Sequence, residues 1–163
     1  MTKKCKQIVV VFTLQSIILI ALLLNCSTRE ESNSKKQKQQ INWLHDIKKA
    51  KKIAKTQNKP LMIDFYADWC PPCIRMKDST FTDPRIIEKA DHFIPLKIDV
   101  DKQRDIADKY KSNASKYGGI GIPNILFISP DSIELAHPIG YKNPETFFMI
   151  MDSVLTTFDR KTE

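Results

Sequence analysis

The chain is expected to form one α/β domain, a mixed central sheet with helices on both faces. Three observations carry this expectation. Helical and strand patterns follow one another along 41–163 in the order helix, strand, helix, strand, helix, hairpin, helix. The early strands are separated by helices, as parallel neighbours require, whereas the last two are joined by a short turn and run antiparallel. The runs Leu61–Tyr66 and Asn124–Ser129 are short and apolar, as buried strands are.

Trp43, Ile47, Ala50 and Ala54 recur at helical spacing between lysines, which predicts an amphipathic helix over 42–57 with Asn42 as its N-cap. Pro60 follows and opens the strand Leu61–Tyr66. A helix starts at the cysteines after that strand, and Thr82-Asp83-Pro84 marks a further start, a capping residue followed by proline at the first helical position. Phe93–Val100 alternates as a strand, and Asp101 begins a helix that runs to about Lys111. Asn124–Ser129 is the next strand, Pro130-Asp131 a turn, and Ile133–Ala136 the partner strand. Asn143-Pro144 caps a last helix in which Phe147, Ile150, Met151, Val154 and Phe158 form a core stripe.

The chemistry is concentrated in Trp69-Cys70-Pro71-Pro72-Cys73. Cys70 falls at the start of a helix, where unpaired backbone N–H groups and the macrodipole favour a thiolate. Cys73 lies one turn on, within reach of a disulfide with Cys70, and the pair needs no other cofactor for reversible thiol–disulfide exchange. A zinc site would need a second ligand pair. The only other cysteines are Cys5 and Cys26, and His45, His92 and His137 are scattered, so no metal is expected.

The N-terminal segment reads as an address. Lys3, Lys4 and Lys6 precede the apolar run Ile8–Leu24, which is short for a hydrocarbon core of about 30 Å and suits a secretory signal over 1–25. Leu23-Leu24-Asn25-Cys26 resembles the lipobox of bacterial lipoproteins, with Asn25 departing from the usual small residue. Cleavage before Cys26 would discard Cys5 and commit Cys26 to lipid, leaving Cys70 and Cys73 as the thiols; the alternative is an uncleaved anchor. Ser27–Gln40 is polar throughout and reads, with Cys26, as a flexible tether over 26–40, about 20 Å long on average and about 50 Å when stretched. The formal charge of +7 includes the three signal lysines, so the mature chain sits near +4. Its lysines alternate with acids, as in Lys102, Asp105, Asp108 and Lys109, which points to a solvated surface and away from nucleic acid.

These residues resemble the thioredoxin superfamily. Besides the cysteine motif, Tyr117-Gly118-Gly119-Ile120-Gly121-Ile122-Pro123 is similar to the segment before that family's cis-proline, and Gly140 stands where a family glycine follows the final strand. Within the superfamily, Tyr66-Ala67-Asp68-Trp69-Cys70 and Thr80-Phe81-Thr82-Asp83-Pro84 resemble the C-terminal catalytic domain of the DsbD thiol:disulfide interchange proteins, and the likeness covers nearly all of 41–163. It implies a thioredoxin-like fold and a catalytic module carried alone on a lipid leash. Cys70 would be an exposed attacking thiolate and Cys73 a more buried resolving thiol. Trp69 would flank the sulfur on the contact surface; the other reading is a core aromatic. Asp64 is an acid inside an apolar strand, which costs desolvation unless it is paired or functional. The resemblance pairs it with Lys97 and gives it the proton traffic of Cys73; a purely structural pair, or an Asp64 that reaches solvent at the strand edge, are the alternatives. Pro123 would be cis and would place the Ile122 backbone beside Cys70, where an extended substrate could add as a strand; the alternative is an ordinary loop proline.

Pro71 and Pro72 tune the site by lacking N–H groups, so the Cys73 amide remains as the near donor to the Cys70 sulfur. A less stabilised thiolate makes a more reducing couple. The expectation is a monomeric, membrane-tethered reductase of exported proteins, apocytochromes or isomerase thiols among them, placed on the periplasmic side of the inner or outer membrane. The resemblance implies a membrane-embedded electron donor of the DsbD or CcdA type. Two alternatives stand beside it: a thiol oxidase or isomerase on the same scaffold, and a copper carrier, for which Met76 is the one nearby extra ligand.

Overall fold

The computed structural model describes residues 40–111 and 121–162. The signal segment, Cys5, Cys26, nearly all of the tether and Tyr117–Ile120 lie outside the described residues.

The elements are α1 (Ile47–Gln57), β1 (Leu61–Tyr66), α2 (Pro71–Arg75) with a π-helical turn (Met76–Thr80), α3 (Pro84–Lys89), β2 (Ile94–Asp99), α4 (Arg104–Lys111), β3 (Asn124–Ile128), β4 (Glu134–Ala136) and α5 (Pro144–Thr162). The described strands form one sheet in the order β2-β1-β3-β4. β1 and β2 are parallel, whereas β3 runs antiparallel to both β1 and β4. The mixed sheet expected from the sequence is therefore present.

Alternation along the strands divides the core into two layers. Leu61, Ile63 and Phe65 of β1 join Leu96 and Ile98 of β2 against Ala50 and Ala54 of α1 and Ala107 of α4. On the opposite face Met62, Ile125 and Phe127 pack with Met76, with Ile86 and Ile87 of α3, and with Phe147, Met151 and Val154 of α5. The stripe expected on the last helix is this buried face, and Phe158 is buried as well.

Local chemistry fixes most element ends. Asp83 accepts from the Arg85 amide at 2.9 Å ahead of Pro84, and Asn143 Oδ1 accepts from the Thr146 amide at 2.8 Å. Asn58 ends α1 in the left-handed region at φ 48°, its N–H returning to the Ala54 carbonyl.

The start of α1 differs from expectation. Asp46 is its cap, its carboxylate accepting from the Lys48 and Lys49 amides at 2.7 and 3.0 Å, whereas Asn42 and Trp43 precede the helix. Leu44 forms a parallel bridge with Leu96 instead, donating to Pro95 O at 2.9 Å and accepting from the Lys97 amide at 2.8 Å. A bridge to the sheet edge and a carboxylate cap together outweigh the helical spacing of Trp43. β2 is also shorter than Phe93–Val100, and α4 starts at Arg104, because Asp99 Oδ1 accepts from the Asp101 and Lys102 amides and holds 101–102 as a turn. Ile133 precedes β4 and is exposed.

Candidate active site

β1 ends at Tyr66, and Ala67–Trp69 turns the chain into α2. Cys70 is the N-cap of that helix at φ −85°, ψ 106°, with Pro71 and Pro72 in its first two positions. The Cys70 amide donates to the Ala67 carbonyl at 3.2 Å, which closes the turn. Cys70 and Cys73 are joined as a disulfide with a Cα separation of 5.2 Å. The Cys73 amide donates to Cys70 Sγ at 3.3 Å. Neither proline has an N–H to add to it.

Cys70 is not the exposed member of the pair. It is 2% exposed and Cys73 6%, both within the apolar layer that contains Phe65 and Ala67. The sulfur of a capping residue turns back over the first helical turn toward the Cys73 amide, and this one also lies 3.5 Å from the Ile122 carbonyl oxygen.

The Ile122–Pro123 peptide bond is cis. The Pro123 carbonyl accepts from Gly140 N–H at 2.8 Å, with Gly140 in the left-handed region at φ 77°. These contacts set Ile122 against the cysteine. A groove of about 650 Å³ runs beside Cys70 between Trp69, Pro71, Pro72 and Ile122 on one hand and Asp101, Arg104 and Asp108 on the other. A second groove, about 680 Å³, lies beside Pro60 at the far end of β1 and has no thiol in its lining.

Trp69 is 67% exposed, which removes the core reading. Its indole N–H donates to Asp101 Oδ2 at 2.6 Å. Asp101 was not singled out in the sequence; its role depends on the turn that Asp99 organises, and no local pattern announces it.

Asp64 lies directly opposite Lys97 in the β1–β2 register. It is 2% exposed, which excludes the solvent-facing alternative. Lys97 Nζ stands 3.4 Å from Asp64 Oδ2. Burial raises the Asp64 carboxyl from 3.8 to about 6, and the neighbouring ammonium holds it from rising further. Three rings to which the sequence assigned no part at Lys97 surround that ammonium: Trp43, Tyr66 and Phe81. Met76, the possible extra copper ligand, is fully buried in the apolar layer beneath α3 and α5.

The structure thus brings together Trp69, Cys70, Pro71, Pro72 and Ile122 around one groove, with Cys73 joined to Cys70 and Pro123 to Ile122 behind it, and with Asp64 and Lys97 paired across the first two strands. Cys26 belongs to the residues not described.

A family profile described as thioredoxin-like matches residues 42–130. The thiol:disulfide interchange protein DsbD of Ralstonia nicotianae is 28% identical over 124 residues, 76% of this chain and 20% of the relative. The chain spans about a fifth or less of the length of the curated relatives it matches. Among solved structures, a thioredoxin from Thermus thermophilus aligns with TM-score 0.62 at 19% identity, covering 76% of this chain and 94% of that one. The reduced DsbD C-terminal domain of Neisseria meningitidis aligns with TM-score 0.51 at 23% identity, covering 63% and 88%. At these identities the structural likeness is one of fold.

Proposed function

Because the chain belongs to the thioredoxin-like family, we propose that it is a thiol–disulfide oxidoreductase, held at a membrane by its N-terminus, that reduces disulfides of exported proteins through Cys70 and Cys73. The observation that carries the reading is the setting of the Cys70 sulfur: at a helix start, beside the backbone of Ile122, with the Cys73 amide as its near donor.

In the dithiol form the Cys70 thiolate attacks a client disulfide. A new S–S bond joins Cys70 to the client, and the client's other sulfur leaves as a thiolate and takes up a proton. Asp64 then accepts the Cys73 proton, and the Cys73 thiolate attacks Cys70. The intramolecular S–S bond forms, the bond to the client breaks, and the electron pair leaves with the second client thiolate. The chain is oxidised by two electrons and the client reduced by two. Ionised Asp64 suits this work because its raised pKa makes it a stronger base than a surface carboxylate. Ile122 offers a carbonyl edge beside the cis-proline for an extended client segment, and Trp69 offers an exposed ring at the rim.

The donor count supports the reducing direction. With two prolines in the first helical turn the Cys70 thiolate is poorly stabilised, so the couple should lie closer to about −270 mV than to the −120 mV or so of a strong oxidant. Equilibration of the pair against glutathione measures it. A potential above about −180 mV would assign the chain to thiol oxidation or isomerisation.

A reductase on the periplasmic side requires electrons from a membrane-embedded donor, of the kind that DsbD-like or CcdA-like membrane proteins would supply, and a lipid on Cys26 would keep it near such a partner. Cys26→Ser should release the protein from membranes and leave its reductase activity in solution unchanged. Mass analysis of the wild-type chain should find a diacylated Cys26 at the N-terminus, since one acyl chain anchors only marginally and two hold stably. An intact Met1 in the membrane fraction would establish an uncleaved anchor and leave the redox chemistry as stated.

A further inference from the structure

Lys97 is enclosed by aromatic faces drawn from three separate parts of the chain. Its Nζ stands 5.1 Å from the centroid of Trp43, 4.7 Å from Tyr66 and 5.5 Å from Phe81. The Lys97 side chain is 12% exposed, and Asp64 is its only salt-bridge partner among the described residues. Trp43 and Phe81 meet edge to face at 5.0 Å, so each fixes the other. Trp43 is held in place by the neighbouring Leu44, whose amide donates to the Pro95 carbonyl and whose carbonyl accepts from the Lys97 amide, on either side of Leu96.

A buried ammonium loses hydration and needs compensation. A carboxylate that gains and loses a proton supplies it in only one of its two states. The faces of aromatic rings supply it in both, through their fixed quadrupole. We propose that Trp43 is a positioning residue for the proton step at Asp64: with Tyr66 and Phe81 it holds the Lys97 ammonium in place while Asp64 changes protonation state, and so sets the pH at which that change occurs. This rests on the reading of Asp64 as the base for Cys73.

The surrounding charges leave the pairing simple. Lys97 on β2 is the charged group that acts on Asp64 among the described residues. β3 presents Ile125 opposite Asp64. Asp99, Asp68, Lys102 and Asp64 itself act on the Tyr66 phenol, and Asp99 is bound to Lys102 at 2.7 Å. From α2, the Cys73 thiol joins the titrating groups once the disulfide is reduced.

The test uses the full oxidised chain with carboxyl-labelled aspartate. The Asp64 titration is followed by NMR, assigned by its loss in Asp64→Asn, alongside the pH dependence of exchange with dithiothreitol. Trp43→Leu loosens the ammonium and should raise the Asp64 midpoint by about half a pH unit, whereas Trp43→Phe, which keeps a ring face, should hold it near the wild-type value. Tyr66→Leu carries the same expectation from another side and replaces Trp43→Leu if that variant does not fold. On a Lys97→Met background Trp43→Leu should add nothing, because the cage then holds no cation. An unchanged midpoint in both leucine variants, an equal rise in Trp43→Phe, or a rise that persists without Lys97 would reduce Trp43 to a packing residue. A shifted titration with an unshifted rate profile would keep the cage and overturn the assignment of Asp64 to exchange.

Discussion

Replacing Cys70 with serine should reduce disulfide exchange to the uncatalysed background, and replacing Cys73 should freeze the protein in covalent complexes. The two outcomes differ because the sulfurs act in sequence. Without Cys70 no thiolate stands beside Ile122 to open the client disulfide, since the Cys70 sulfur is the one 3.5 Å from that carbonyl. Without Cys73 the first bond still forms, but nothing within reach displaces the client, so the adduct persists. Non-reducing gels of envelope fractions should show high-mass, thiol-sensitive species for Cys73→Ser and few for Cys70→Ser. Equal trapping by both variants would invert or abolish the division of roles.

Asp64→Asn should slow exchange at neutral pH by about a hundredfold or more, the usual contribution of a positioned acid–base group. The step in the wild-type pH–rate profile near pH 6 should vanish with it. The same carboxyl leaves a signature in stability. Its folded value, about 6, lies above its ordinary 3.8, so the folded chain binds this proton more tightly than the unfolded chain. The stabilisation is therefore fully present below about pH 3.8 and is lost as pH rises through about 6. Relative to Asp64→Asn, wild-type stability should fall by about 3 kcal/mol between pH 3.5 and pH 8, as a difference of about two pKa units requires. The amide leaves Lys97 without its carboxylate, a penalty that does not change over this window, so the readout is the slope. Denaturant unfolding of both oxidised proteins at several pH values measures it, and parallel curves would mean that Asp64 keeps an ordinary carboxyl.

The sheet was legible because its strands are written in local code: apolar runs of strand length, broken by proline or by capping residues. Cys70, Cys73 and the helix that carries them were legible for the same reason, a short motif with its own mechanism. Trp43 was misplaced because its spacing to Ile47 and Ala50 is helical, while the forces that hold it come from Leu96 and Phe81, far along the chain. The cage around Lys97 was invisible on the same ground. Phe81 enters it behind a π-helical turn, where its amide donates to the Met76 carbonyl at 2.9 Å, and no residue pattern marks that turn. The burial of Cys70 escaped notice because a motif states which residues are adjacent and says little about what folds over them.

That burial bears on traffic between redox routes. A disulfide with both sulfurs beneath the surface presents little target to small thiols that collide from random directions. The approach that remains among the described residues is the groove rimmed by Trp69 and Ile122, which suits a partner long enough to lie along it. Encounter rates are then graded by shape before any difference in potential is felt. A carrier built this way can pass electrons between chosen proteins in a compartment where oxidising and reducing currents coexist, without short-circuiting them.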